Sequence, residues 1–119
     1  MGVVTPTLPI VEAGGPDPEG VVYELVGIVI EWRGPAPFYY LPMSVEDSED
    51  LKDEARGLEY WGQVPVVAEI GETRFTTALF PKDGRYLVPL KDAVRRPAGI
   101  GLDDEVRMRL WLNRSRADR

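Results

Sequence analysis

Residues 64–90 read VPVVAEIGETRFTTALFPKDGRYLVPL, and this stretch decides the fold. Two apolar, β-branched runs, Val64–Ile70 and Thr73–Phe80, flank Gly71-Glu72. A two-residue loop with glycine first suits a type II′ hairpin turn, because glycine enters the required positive φ without a steric penalty. Pro81-Lys82-Asp83-Gly84 then turns the chain into a third run, Arg85–Leu90. Tight turns between extended runs dictate antiparallel pairing, since parallel neighbours need long crossovers. Pro89 lacks the amide that a central strand donates, so this third strand is expected to end near a sheet edge.

Working outward, Val21–Trp32 reads as one long strand. Val22, Val26, Ile28, Ile30 and Trp32 share one face and Tyr23, Leu25 and Val29 the other, so a strand buried on both sides or closing a barrel is expected. Arg33–Pro37 turns into a short aromatic strand, Phe38–Pro42. Ser44 is placed to cap a helix over Val45–Arg56, with Asp47 completing a capping box. Val45, Ser48, Leu51, Ala55 and Leu58 form its apolar stripe, and Gly57 stops it. Lys91–Arg96 is at most a short helix, ended by Pro97. In the last strand, Glu105–Leu112, Val106, Met108, Leu110 and Leu112 point inward while Arg107, Arg109 and Trp111 point outward. The predicted fold is mainly β: a small antiparallel barrel of about six strands capped by one α-helix. Residues 1–19, with four prolines and three glycines, read as a tail with a short extended segment at Leu8–Val11. Residues 20–113 form the barrel domain and 114–119 a polar tail.

At 119 residues the chain is sized for one domain. It holds neither cysteine nor histidine, which excludes disulfides, thiol nucleophiles, cysteine–histidine zinc sites and histidine-based triads. No metal site and no cofactor is expected. The net charge of −6 argues against nucleic acid, whose binding is driven by phosphate neutralisation. Seven acids against two bases crowd residues 44–59, whereas residues 91–119 carry eight bases and five acids. The acidic run, Glu46 to Glu54, reads as a solvated helix face rather than a cation site. No stretch is long and apolar enough for a membrane span, and no basic, apolar leader opens the sequence, so a soluble cytoplasmic protein is expected.

Arg74-Phe75-Thr76-Thr77-Ala78-Leu79, Asp83-Gly84-Arg85-Tyr86-Leu87-Val88-Pro89-Leu90, Val94-Arg95-Arg96 and Asp104-Glu105-Val106 follow one another in a distinctive order. With Trp32 and Tyr40-Leu41-Pro42, this order resembles a bacterial domain-of-unknown-function family often found beside YdeI/OmpD-associated modules. The resemblance covers about Val21–Leu112. It implies a double-split β-barrel, related in shape to the swapped-hairpin AbrB and MazE proteins, and no established reaction or cofactor. It also makes a homodimer the oligomeric state to test. One departure is Asp103-Asp104, where the family usually has Gly-Asp before its last strand.

Three constellations are candidate sites. Aromatic residues are spread over strands and loops, and Trp32, Tyr39, Tyr40, Trp61 and Tyr86 are the candidates to line a ligand cleft; the alternative is that these rings fill the core. Arg74 and Arg95, gathered with Arg85, Lys91 and Arg96, are candidates for holding an anion through guanidinium forks; otherwise they pair with surface carboxylates. Trp111 between Arg107 and Arg109 has the composition of a partner-binding face. Equally, the N-terminal tail covers Trp111 or an arginine of the chain stacks on it. The expected function is a non-catalytic module that binds a small apolar or anionic ligand or a protein partner. The alternatives are a small enzyme of cyclase or isomerase type, using tyrosine or carboxylate acid–base groups, and an AbrB-like DNA binder.

Overall fold

The computed structural model describes residues 15–32, 38–59 and 62–114. Seven strands and two helices follow in the order β1 (Tyr23–Ile28), β2 (Ile30–Trp32), β3 (Phe38–Pro42), α1 (Val45–Glu54), β4 (Val64–Ile70), β5 (Thr73–Lys82), β6 (Arg85–Pro89), α2 (Asp92–Ala98) and β7 (Glu105–Leu112). The strands lie in the spatial order β1-β7-β4-β5-β6-β3-β2, and each adjacent pair is antiparallel. The result is the mainly β, curled antiparallel architecture expected from the hairpins.

Two bent strands produce the curl. Strand β5 pairs with β4 from Thr73 to Leu79 and with β6 from Phe80 to Lys82, so it passes from one half of the sheet to the other. The second bend corrects the expectation of a single strand over Val21–Trp32. Val29 interrupts it: its amide donates to the Asp104 carbonyl (2.9 Å) and its carbonyl accepts from the Asp103 amide (3.2 Å). Beyond that point the chain pairs with β3 instead of β7. The edge strands β1 and β2 are thus halves of one bent segment, which accounts for seven strands instead of about six. At the bend β1 runs close to β3, and a Cβ on Gly27 would lie 3.3 Å from Leu41 Cδ1.

Burial corrects the reading of this segment too. Tyr23, Leu25 and Val29 are buried, but Val26, Ile28, Ile30 and Trp32 are exposed, so only one face meets the core. The strand covered on both faces is β4. Val64, Val66 and Ala68 enter the core, while Val67, in the opposite phase, is fully buried on the outside. The core is solid: Leu41, Met43, Leu51, Leu79, Met108 and Leu110 have essentially no exposed surface.

Ser44 caps α1 as expected, its Oγ accepting from the Asp47 amide at 3.1 Å. Ser48, Leu51 and Ala55 bury the helix, but Val45 is exposed. Ser48 Oγ accepts from the Tyr86 amide (3.0 Å), and Tyr23 Oη donates to Asp50 (2.7 Å), tying the helix to β6 and β1. A second helix is present, and Pro97 lies inside it instead of ending it. The stop is Gly99, left-handed at φ 67°, whose amide and that of Ile100 satisfy the Arg96 and Arg95 carbonyls. Pro89 pairs with Tyr40 at the end of β6, and β6 lies between β5 and β3, not at an edge. The missing amide is tolerated because Pro89 is the strand's last residue.

Candidate functional site

The turns flanking β5 create two patches on the outer face of the curl, each centred on a tryptophan. The first lies at the Lys82–Arg85 end. Asp83 (φ 53°) and Gly84 (φ 82°) form a two-residue turn with both residues left-handed, which sets Lys82 and Arg85 opposite one another. Beside this hairpin Trp32, Tyr40 and Phe80 form a ring cluster with centroids 6.1–6.3 Å apart. Lys82 Nζ stands 4.2 Å above the Trp32 ring. A groove of about 530 Å³ lies beside them, with Ile30, Trp32, Pro42 and Leu87 as apolar lining and Glu31, Lys82, Asp83 and Arg85 as charged lining. On the hairpin's other side a cleft of about 420 Å³ is lined by Ser48, Glu49, Lys52 and Tyr86. The hairpin therefore separates two depressions and presents its cations to both.

The second patch spans β5, β4 and β7 in two cross-strand rows, Thr76–Val67–Trp111 and Arg74–Glu69–Arg109. Glu69 accepts from Arg74 Nε (2.8 Å) on one side and from Arg109 Nη2 (2.5 Å) on the other. Burial alone would raise the Glu69 carboxyl's pKa, but the bonds from Arg109 and Arg74 outweigh it and hold the group below the usual carboxylate value. The Arg74 and Arg109 guanidinium groups lie 5.0 and 5.6 Å from the Trp111 ring. Over this assembly lies the segment Gly15–Asp17. Trp111 Nε1 donates to the Pro16 carbonyl (3.0 Å), and Arg74 Nη1 donates to the Gly15 carbonyl (3.3 Å) and to Asp17 (2.9 Å).

Trp111 is consequently 1% exposed, so it forms no open partner-binding face with Arg107 and Arg109. The cover is the segment that the sequence assigns to a tail, together with stacked arginines. Arg109 is drawn into the Glu69 network, whereas Arg107 is exposed opposite Val26 of β1. Of the two readings of Arg74 and Arg95, a shared anion site or separate pairs with carboxylates, the contacts match the second. Arg74 is held by Glu69 and Asp17; Arg95 donates to the Leu90 carbonyl (3.2 Å), pairs with Asp92 and stacks 4.0 Å from the Tyr39 ring. Each guanidinium is neutralised by a carboxylate of its own neighbourhood. The aromatic candidates separate likewise. Trp32 lines the groove and touches Tyr40, which does not line it; Tyr39 packs against the core beneath Arg95, and Trp61 lies outside the described residues. Tyr86 is buried, and burial, with a contribution from Glu59, raises its phenol's pKa.

Sequence reasoning missed Lys82 as a groove residue and Glu69 as the bridge between arginines. A signal existed for both, since residues equidistant from a two-residue turn must face each other: 69 with 74, and 82 with 85. Among the described residues no group of three or more acidic side chains could hold a metal ion. No helix there is long and apolar enough to cross a membrane.

No curated protein matches the chain. A family model does, and it begins at the close approach of Gly27 to β3, takes in the groove and both hairpins, and ends one residue before Trp111. Over residues 27–110 the sequence fits the model described as Domain of unknown function (DUF1905), and the chain belongs to that family.

Proposed function

We propose that this protein is a non-catalytic binding module whose ligand is a small amphipathic anion, an aromatic or alkyl group carrying a carboxylate or phosphate, held in the groove beside the Lys82–Arg85 hairpin. The groove carries this reading. Its volume of about 530 Å³ falls in the range typical of small-molecule sites, and its walls Ile30, Trp32, Pro42 and Leu87 offer an apolar surface. Lys82 and Arg85 stand side by side at the rim, and among the described residues Arg85 makes no ion pair. A charged donor beside an apolar wall selects a ligand with both features, because a purely apolar molecule leaves the cations unused and a simple ion stays in water. The packed core favours recognition on this outer surface over a reaction inside the barrel.

Titration with 2-naphthoate, followed by amide and indole NMR shifts, tests the proposal. The expected shifts map to Trp32, Lys82, Arg85 and Leu87, and the uncharged 2-naphthamide binds more weakly. Replacing both Lys82 and Arg85 by Ala should weaken naphthoate about tenfold, the scale of one good charge-assisted contact. Shifts confined to other surfaces, or equal affinity for acid and amide, would overturn it.

A further inference from the structure

The Trp111 patch is built like a peptide-binding site and is occupied by the chain itself. Every feature of the docked segment matches the surface beneath it. Gly15 sits at φ 111°, and a Cβ there would lie 3.0 Å from Thr76 Cγ2 and 3.2 Å from both Val67 methyls, so only glycine passes at this point. Pro16 brings no amide hydrogen to be stranded on an apolar surface, and its carbonyl takes the Trp111 indole proton. Asp17 meets Arg74, a guanidinium already oriented by Glu69. The attachment is nevertheless slight: three polar contacts hold it, and residues 15–20 are all exposed themselves. Gly20, at φ 105° with nothing within 4 Å of its Cβ position, joins the segment to the barrel.

We propose that the face formed by Val67, Arg74, Thr76 and Trp111 is a recognition site for extended segments of the type Gly-Pro-acid, and that residues 15–17 act in cis as its built-in competitor. The occupant it accepts in trans is a partner's glycine-proline-acidic segment, chosen by the same contacts: a glycine over Val67 and Thr76, a carbonyl for the indole, a carboxylate for Arg74. A tethered segment competes at a local concentration on the order of millimolar, so a partner succeeds where it binds more tightly or where the strap is displaced. This site is independent of the groove beside the Lys82–Arg85 hairpin.

The experiment uses the full chain. Gly15→Val sets a branched side chain against Val67 and Thr76 and should lift the strap, moving the Trp111 indole NMR resonance. A labelled peptide with the sequence of residues 13–20, AGGPDPEG, is then expected to bind Gly15→Val at least about tenfold more tightly than the unmodified chain, the ratio a cis competitor imposes. Adding Arg74→Ala should remove that binding. Asp17→Ala, which disturbs no packed atom, is the second releasing variant and should give a smaller gain in the same direction. The proposal is overturned if neither variant gains affinity over the unmodified chain. It is equally overturned if Gly15→Val leaves the indole resonance in place, or if Arg74→Ala leaves peptide binding intact.

Discussion

Trp32 and Trp111 occupy equivalent situations on the outer face of one curled sheet, yet one is 38% exposed and the other 1%. Both rings have cations over them: Lys82 at 4.2 Å above Trp32, Arg74 and Arg109 at 5.0 and 5.6 Å from Trp111. The difference is what else comes within reach. Trp111 lies on β7, directly beside β1, and Asp17 precedes the start of β1 by only six residues, so the preceding segment can cross it. Trp32 lies at the far end of the strand order, on β2. Glu69 also fixes the arginines around Trp111, whereas among the described residues Lys82 pairs only with the exposed Asp83, at 3.8 Å. The same tryptophan–cation chemistry is thereby covered by the chain's own segment in one place and left open to solvent in the other.

The largest test of this contrast is truncation of each ring. Trp111→Ala removes a fully buried side chain and should destabilise the fold by about 3–5 kcal/mol in urea unfolding. Trp32→Ala removes ring contacts at an open surface and should cost about 1 kcal/mol. Similar losses for the two would mean that Trp32 is as structural as Trp111, and the distinction between the patches would fail.

Much of this was legible in the residues. The turn at Gly71-Glu72, the Ser44 cap and the alternating β7 face follow from local chemistry, and local chemistry decides them in the structure; the second turn, read over Pro81–Gly84, tightens to Asp83-Gly84 because Pro81 and Lys82 stay in β5. What escaped was set by distant neighbours. A run of residues alternating between two apolar faces reads as doubly buried, but nothing in Val21–Trp32 says that the sheet turns at Val29 and leaves Val26 and Ile28 in solvent. For Trp111 the residues leave an open face and a covered one as equal readings, and the distant contacts of Gly15–Asp17, Arg74 and Arg109 decide for the covered one. For the arginines the residues offer two outcomes, a shared anion site or separate carboxylate pairs, and only the placement of Glu69 and Asp92 selects the second.

A middle-sized effect lies in the electrostatics of the covered patch. Glu69→Gln should cost about 1–2 kcal/mol at neutral pH, because it weakens charged bonds to two arginines. The pH dependence has a definite sign. The carboxyl's folded pKa lies below its ordinary value of 4.5, so its stabilisation is complete above that value and fades as pH falls through the lower, folded pKa. The unmodified chain's advantage over Glu69→Gln should therefore shrink on acidification below about pH 4.5. An advantage that persists unchanged at still lower pH would show that charge is not what Glu69 contributes.

The smallest expected change is the most discriminating. Lys82→Met keeps an unbranched side chain over Trp32 and deletes the charge. At an open surface a cation–π contact contributes about 0.5–1 kcal/mol, and an exposed ion pair such as Lys82–Asp83 contributes little. Stability should accordingly fall by about 0.5 kcal/mol, with part of the loss offset by the retained hydrocarbon contact. Arg74→Met, the corresponding change at the covered patch, strands Glu69 against a single arginine and releases Asp17, so its loss should be several times larger. If urea midpoints for the two variants coincide, the cation over Trp32 matters to the fold as much as the one over Trp111. If they separate as expected, Lys82 is a charge that the fold does not need, standing at the rim of an apolar groove, as the proposed anion site requires.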